Sequence, residues 1–385
     1  MISPVPRLSP SARRNIRVMV VDDSVVARGL FSAWIGAAAD CEVVASLRTG
    51  RDAVEQVERF DPDVVILDID MPEMDGITAL PLLLQKRPGL AVIMASTLTR
   101  RNAEISLRAL ALGAADYVPK PETARETTTS LPFRHELIDK VRHLGMRSRA
   151  MLGVRPAPRE RTVVPLRREE PQTTHTSVST LPFRLRGFSR VPPRVVMIGC
   201  STGGPQALSK LLPAIAPVLP RAPVLITQHM PAAFTTILAE HLQRSIGQTV
   251  REATDGEPIK AGTVYLAPGG RHLRVVRGAN GPVAVLDDGP PIHFCKPSVD
   301  PMFASGAAMW GASVLGLVLT GMGADGAQGS EAIATAGGTM IAQDEATSVI
   351  WGMPAQAIAT GSCSAVLPLN GIAETVVRLF GGQTA

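Results

Sequence analysis

Ser201 follows a strand-like run, VVMIG (195–199), and opens a glycine-rich turn in the segment IGCSTGGPQAL. A serine on a sharp strand-to-helix turn is displayed beside outward-pointing backbone N–H groups, so a nucleophilic hydroxyl and an oxyanion site can lie close together. The pattern G-x-S-x-G is formally matched by Gly199, Ser201 and Gly203, and taken alone it is weak. Two further residues strengthen it: His229, at the end of the next strand candidate in LITQHMP, and Asp325, after a later one in LTGMGADG. The ends of parallel strands converge on one crevice, so the three can form a hydrolytic triad, which is defined by geometry rather than chain order. His229 would take the Ser201 proton, and Asp325 would orient and stabilise the imidazole. Backbone N–H groups near Thr202 and Met322 would receive the oxyanion. A phosphate-cradling loop is the competing reading of the turn, but G-x-G-x-x-G is absent and no P-loop lysine follows. Singly, Ser201 also fits a helix N-cap, His229 a hydrogen-bonded strand-end residue and Asp325 a cap for the next helix. Those separate roles leave the coincidence of all three unexplained.

A second constellation lies upstream. Asp22 and Asp23 follow the first strand candidate, Asp68 ends the third, Ser96 ends the fourth and Lys120 follows the fifth. Three carboxylates brought together repel unless a cation neutralises them, and oxygen ligands with open water positions suit Mg²⁺. A carboxylate held this way can attack phosphorus, giving an aspartyl phosphate whose charge is offset by the metal, a lysine and a hydroxyl donor.

Positioning these residues requires parallel strands, and the apolar runs supply them. From Arg17 to about Gly145, RVMVV (17–21), EVVAS (42–46), DVVIL (63–67), LAVIMA (90–95) and DYVP (116–119) alternate with segments of helical spacing, ending in a helix from roughly His135 to Met146. This is the rhythm of a doubly wound α/β domain, expected over 15–146. Residues 147–193 are dominated by Pro, Arg and Thr without hydrophobic periodicity, the composition of a flexible linker. A second α/β domain with a mainly parallel sheet is expected over 194–383, its strands read at 195–199, 223–228, 263–268, 314–320, 339–343 and 365–369. LPFR occurs at Leu131–Arg134 and again at Leu181–Arg184, by coincidence or as a small docking element.

Composition narrows the class. With 45% apolar and 19% charged residues, the 385-residue chain can build two cores. No apolar run approaches the ~20 residues that span a bilayer, and the N-terminus lacks a secretory apolar core, so a soluble, cytoplasmic protein without membrane insertion is expected. Cys41, Cys200, Cys295 and Cys363 show no CxxC spacing, which argues against a zinc framework or disulfide scaffold. The formal charge of +5 gathers in the Arg-rich stretch 147–194, a solvated linker rather than a nucleic-acid reader, because no compact basic helical module accompanies it. A phosphorylation-controlled DNA-binding regulator is therefore the lesser alternative. A non-catalytic adaptor that keeps the hydrolase fold is the other.

VDDS, LDIDMPEMDG, the hydroxyl residue of MAST, and PKP resemble the response-regulator receiver family across most of residues 15–146. The resemblance implies phosphorylation of Asp68, Mg²⁺ held by Asp22, Asp23 and Asp68, and phosphoryl contacts from Ser96 and Lys120. Asp70 is a decoy, since LDxxMP places the acceptor before it. Tyr117 stands where that family often has an aromatic switch residue, and it equally fits a half-buried structural tyrosine. Pro119 is expected to end the fifth strand. Residues 194–383 resemble the catalytic domain of the chemotaxis protein-glutamate methylesterases, the CheB family, through GCSTGG, ITQHMP, YLAPGGRH, PSVDPMF, LTGMGADG and WGMP. This implies hydrolysis of receptor glutamate γ-methyl esters to glutamate and methanol, deamidation of receptor glutamines, and no cofactor for the esterase. It also implies methyl-accepting chemotaxis receptors as substrates and a chemotaxis histidine kinase as phosphodonor. Ser201, His229 and Asp325 fall on that family's catalytic positions. Cys200 reads as a packing residue, His272 and His293 as structural or cleft-lining, and His241 as solvated.

Overall fold

A computed structural model describes residues 15–120, 131–151 and 184–382. Most of the expected linker (152–183), and the second LPFR apart from Arg184, lie outside the described residues.

The first sheet comprises β1 (Ile16–Val21), β2 (Cys41–Leu47), β3 (Val64–Asp68), β4 (Ala91–Ser96) and β5 (Asp116–Pro119), ordered β2-β1-β3-β4-β5 with every pairing parallel. β3 and β4 are buried along their whole length, which is why they read as continuous apolar runs rather than alternating ones. The covering helices are α1 (Val25–Gly36), α2 (Gly50–Phe60), α3 (Gly76–Lys86) and α4 (Arg100–Ala111). Each starts at a side-chain cap: Ser24, Thr49, Asp75 and Thr99 accept the N–H three residues on, at 3.3, 3.1, 2.7 and 3.2 Å. A Cβ at Gly76 would sit 2.0 Å from the Asp68 carbonyl oxygen, so the α3 entry can pass the end of β3 only as glycine.

The closing helix, α5 (Leu131–Met151), is longer at both ends than the periodicity suggests. Residues 147–151 fall in the expected linker yet are helical. Their arginines explain this, since Arg149 reaches Asp63 Oδ2 at 2.7 Å and Arg147 donates to the Ser348 carbonyl of the second domain. Residues 184–193 are likewise attached to the second sheet: Arg186 N–H donates to Cys363 O at 2.9 Å, and Ser189 N–H to Thr339 Oγ1 at 2.9 Å.

The second domain is built on β6 (Val195–Cys200), β7 (Val224–Gln228), β8 (Thr249–Glu252), β9 (Thr263–Leu266), β12 (Val314–Val318), β13 (Thr339–Gln343) and β14 (Ala365–Leu367). Their order is β14-β13-β12-β6-β7-β9-β8, with every pairing parallel. A separate antiparallel hairpin, β10 (His272–Gly278) and β11 (Gly281–Asp287), lies outside this sheet. The helices are α6 (Gly204–Ala214), α7 (Ala232–Ile246), α8 (Val299–Trp310), α9 (Ala327–Thr335), α10 (Met353–Ala359) and α11 (Leu369–Phe380).

The two sheets share one apolar core. Tyr117 of β5 is 5% exposed and stacks on Phe234 of α7, ring centroids 4.4 Å apart and planes 7° apart, an aromatic pairing that contributes about 0.5–1.5 kcal/mol beyond its area. Around it, Gln206 Nε2 donates to Ala114 O at 3.1 Å and Arg100 pairs with Glu240 at 2.7 Å. His241 is not simply solvated, as its place on an amphipathic helix suggested. It is partly buried and lines a cavity of about 550 Å³ between the domains, because α7 packs against α4.

Candidate active site

β6 is the point where the second sheet reverses its order, with β7 on one side and β12 on the other. Cys200 pairs with Gln228 across β6 and β7. The next residues, Ser201 and His229, therefore leave neighbouring strands at the same level, about one strand spacing of 5 Å apart. Backbone contacts fix the level: His229 N–H donates to Cys200 O at 3.1 Å, and Gln228 Nε2 donates to Ser201 O at 3.0 Å. From the other flank the β12 exit approaches closely, with Ser201 N–H on Thr320 O at 3.0 Å. A Cβ at Gly321 would lie 2.8 Å from Ser201 Cβ and 2.4 Å from Met353 Sδ, so glycine is what admits this loop.

The loop delivers Asp325, which is 1% exposed and 2.7 Å from His229 Nε2 through Oδ2. Its carboxylate is densely solvated by protein. Oδ2 also accepts from Val299 N–H at 2.7 Å, and Oδ1 accepts from Ser298 Oγ at 2.7 Å, Gly326 N–H at 3.0 Å and Asp300 N–H at 3.1 Å. Burial disfavours its charge, but His229 and these donors outweigh burial and hold it well below the usual carboxylate range.

The Ser201 hydroxyl is partly exposed and, among the described residues, forms no hydrogen bond to His229. The second imidazole nitrogen, Nδ1, instead lies 3.4 Å from Cys295 Sγ. Burial lowers the His229 pKa, but Cys295 and Asp325 together overcome it and push it up to about 10. Neither Thr202 nor Met322 gives its backbone N–H to an acceptor among the described residues. The Thr202 hydroxyl is committed across the domain boundary, donating to Asp116 Oδ2 at 2.7 Å, while Lys140 holds the same oxygen at 2.9 Å.

At the carboxyl ends of the first sheet, oxygens of Asp22, Asp23 and Asp68 lie within 4.8 Å of one another. Lys120 Nζ is 2.8 Å from Asp22 Oδ2 and 2.6 Å from Asp68 Oδ1. Burial chiefly, with Asp22 beside it, raises the Asp68 pKa to about 6 despite the lysine. One ammonium against three carboxylates leaves net negative charge, and an all-oxygen donor set fits Mg²⁺. Ser96 is buried and its hydroxyl donates to Thr97 O at 3.2 Å. Asp70 is exposed and outside this cluster.

His272 is 1% exposed with both ring nitrogens engaged, by Ser298 N–H and by Pro290 O, which is a structural role. His293 stands on an exposed turn, 3.6 Å from Asp300 Oδ2. Cys200 is fully buried, and burial raises its thiol pKa far out of reach.

Residues 196–376 match the CheB methylesterase family, and residues 18–131 match the response regulator receiver domain. The protein-glutamate methylesterase/protein-glutamine glutaminase of group 2 operon from Bradyrhizobium diazoefficiens is 55% identical over 96% of this chain and 95% of its own. The chain belongs to the CheB methylesterase family. A Rhodopseudomonas palustris protein-glutamate methylesterase/protein-glutamine glutaminase is 56% identical over 98% of this chain and 97% of its own. Receiver domains of this kind bind Mg²⁺ in phosphorylation. Within the CheB frame, sequence reasoning missed Cys295 against His229 and Asp116 against Thr202. Neither pairing has a local signal, because the partners are 66 and 86 residues apart.

Proposed function

We propose that the chain is a phosphorylation-controlled methylesterase of chemotaxis receptors that also deamidates receptor glutamines, and that Ser201, His229 and Asp325 carry the chemistry. The observation behind this reading is the exit of Ser201 and His229 at one level from paired strands, with Asp325 on His229 at 2.7 Å. Once Cys295 gives up Nδ1, His229 can take the Ser201 proton as Oγ attacks the glutamate γ-carbonyl. The N–H groups of Thr202 and Met322 receive the oxyanion, and His229 returns the proton to the departing methoxide, releasing methanol. Water, deprotonated by His229, then attacks the acyl-serine, and His229 returns that proton to the departing Ser201 Oγ, freeing glutamate. With a glutamine side chain the leaving group is ammonia.

In the receiver, Asp22, Asp23 and Asp68 would hold Mg²⁺, which when bound offsets the charge of the incoming phosphoryl group. Asp68 is the acceptor; Ser96 and Lys120 contact the phosphoryl oxygens. The donor is a chemotaxis histidine kinase, and the compartment this requires is the cytoplasm. The deciding assay follows methanol release from methyl-labelled receptor membranes, with and without acetyl phosphate and Mg²⁺. Stimulation is expected in the native chain and in Asp70→Asn, and none in Asp68→Asn, whose amide lacks the nucleophilic oxygen charge. No methanol from the native chain under either condition would reject the esterase reading.

Receiver control has a physical basis in the interface, where Asp116 holds the hydroxyl of the residue next to Ser201 and Tyr117 packs on the helix that follows His229. Phosphorylation biases this docked state with a coupling of about 1–3 kcal/mol, or about 5- to 150-fold in activity. Because α5 runs to Met151, the cut that frees the esterase falls after that residue. The chain lacking residues 1–151 is expected to hydrolyse a small soluble ester faster than the unphosphorylated native chain by a factor in that range. Equal rates would show that docking imposes no restraint.

A further inference from the structure

We infer that His229 and Cys295 form a binding site for a soft divalent cation, Zn²⁺ by the chemistry of the donors, and that filling it switches hydrolysis off. The thiol sulfur and the imidazole Nδ1 are 3.4 Å apart. Tetrahedral zinc, with bonds of about 2.3 Å to sulfur and about 2.0 Å to nitrogen, holds such a pair about 3.5 Å apart, so the edge of the coordination sphere is already formed. On the far side of the ring, Nε2 faces Asp325 Oδ2 at 2.7 Å. A carboxylate taking the second imidazole N–H is the arrangement that orients metal-binding histidines and raises their basicity. Asp325 cannot easily swing away, since Ser298 Oγ and the N–H groups of Val299, Asp300 and Gly326 hold it. Its ligand oxygen lies within 4.8 Å of the His229 and Cys295 donors.

Three more features favour a cation here. Asp300 is 7% exposed, and its Oδ2 has no hydrogen-bond partner among the described residues, with His293 Nε2 3.6 Å away, so a second carboxylate stands on this side of the cleft. Cys295 is reachable from solvent, on a turn whose neighbour Phe294 is 91% exposed, whereas Cys41, Cys200 and Cys363 are buried. Mixed sulfur and nitrogen donors select Zn²⁺ over Mg²⁺, so this cluster and the all-oxygen receiver cluster sort two cations between them. A metal on Nδ1 occupies the lone pair that proton transfer from Ser201 needs. That inhibitory half rests on the catalytic reading above; the binding half does not.

The test uses the full-length chain, saturated with Mg²⁺ to fill the receiver carboxylates, and Co²⁺ as an optical stand-in for zinc. The native chain is expected to develop a thiolate-to-cobalt charge-transfer band that Zn²⁺ displaces, and Cys295→Ser to show none. Zn²⁺ is expected to suppress native small-ester hydrolysis, with EDTA restoring it. Cys295→Ser, its rates taken relative to the same variant without zinc, should need more than about tenfold more Zn²⁺ for equal suppression, since losing even an outer-shell partner weakens metal sites by about tenfold. No band in the native chain, or an equal band in Cys295→Ser, overturns the site. A Cys295-dependent band with hydrolysis untouched by Zn²⁺ upholds the metal site and overturns His229 as the base.

Discussion

Ser201→Ala is expected to reduce ester turnover by about 10⁶, because removing the nucleophile of a triad costs that much and leaves only what binding and oxyanion donors provide. Losing a single oxyanion donor costs about 10²–10³, so the size of the loss separates a nucleophile from a bystander on the same turn. The substitution should be silent in stability. Ser201 contributes to the turn through its backbone, its N–H on Thr320 O and its carbonyl accepting from Gln228 and Gly204, and among the described residues its hydroxyl makes no hydrogen bond. The measurement is single-turnover hydrolysis alongside thermal unfolding. A folded alanine variant within about tenfold of the native rate would remove Ser201 from the mechanism.

Asp325→Asn is expected to lower turnover by about 10⁴, the loss seen when the analogous aspartate of a serine protease becomes an amide that favours the wrong imidazole tautomer. Here a stability effect should accompany it. The Asp325 oxygens accept from the Ser298 hydroxyl and from three backbone N–H groups besides His229, and an amide keeps only one accepting atom. At least one buried donor loses its partner, at about 1–3 kcal/mol. Rate and melting temperature measured on one preparation therefore fall together for Asp325→Asn and separate for Ser201→Ala. A native melting temperature with the full rate loss would mean that the donors round Asp325 find water instead.

What the sequence shows of this molecule follows its burial. The strands of the two sheet interiors are enclosed on both faces, so each is a short apolar run, and their ends locate Ser201, His229, Asp325, Asp22 and Asp68 in turn. β8 escapes because TVRE is an edge strand with alternating exposure. The β10–β11 hairpin escapes too, although Ala279-Asn280, followed by Gly281, between HLRVVRG and PVAVLD is a usable turn signal. The orientation of the His229 ring had no sequence signature at all. It depends on the 292–295 turn, where His293 and Phe294 take positive φ of 50° and 63° and Ile292 pairs with Cys295. The domain interface is equally silent, because Tyr117 and Phe234 are apolar in the way any core residue is.

The pairing of Cys200 with Gln228 makes the central sheet a gauge as well as a scaffold. Ser201 and His229 take their relative height from the parallel register of β6 and β7, and a slip of one residue turns alternate side chains to the opposite face. Tolerance to change in these strands should therefore be lopsided. Swaps among Val, Ile, Leu and Met leave the register alone and cost little when volume is kept, whereas one inserted or deleted residue shifts Ser201 against His229 without emptying the core. Evolution along this stretch is free to repaint the interior but not to change its length.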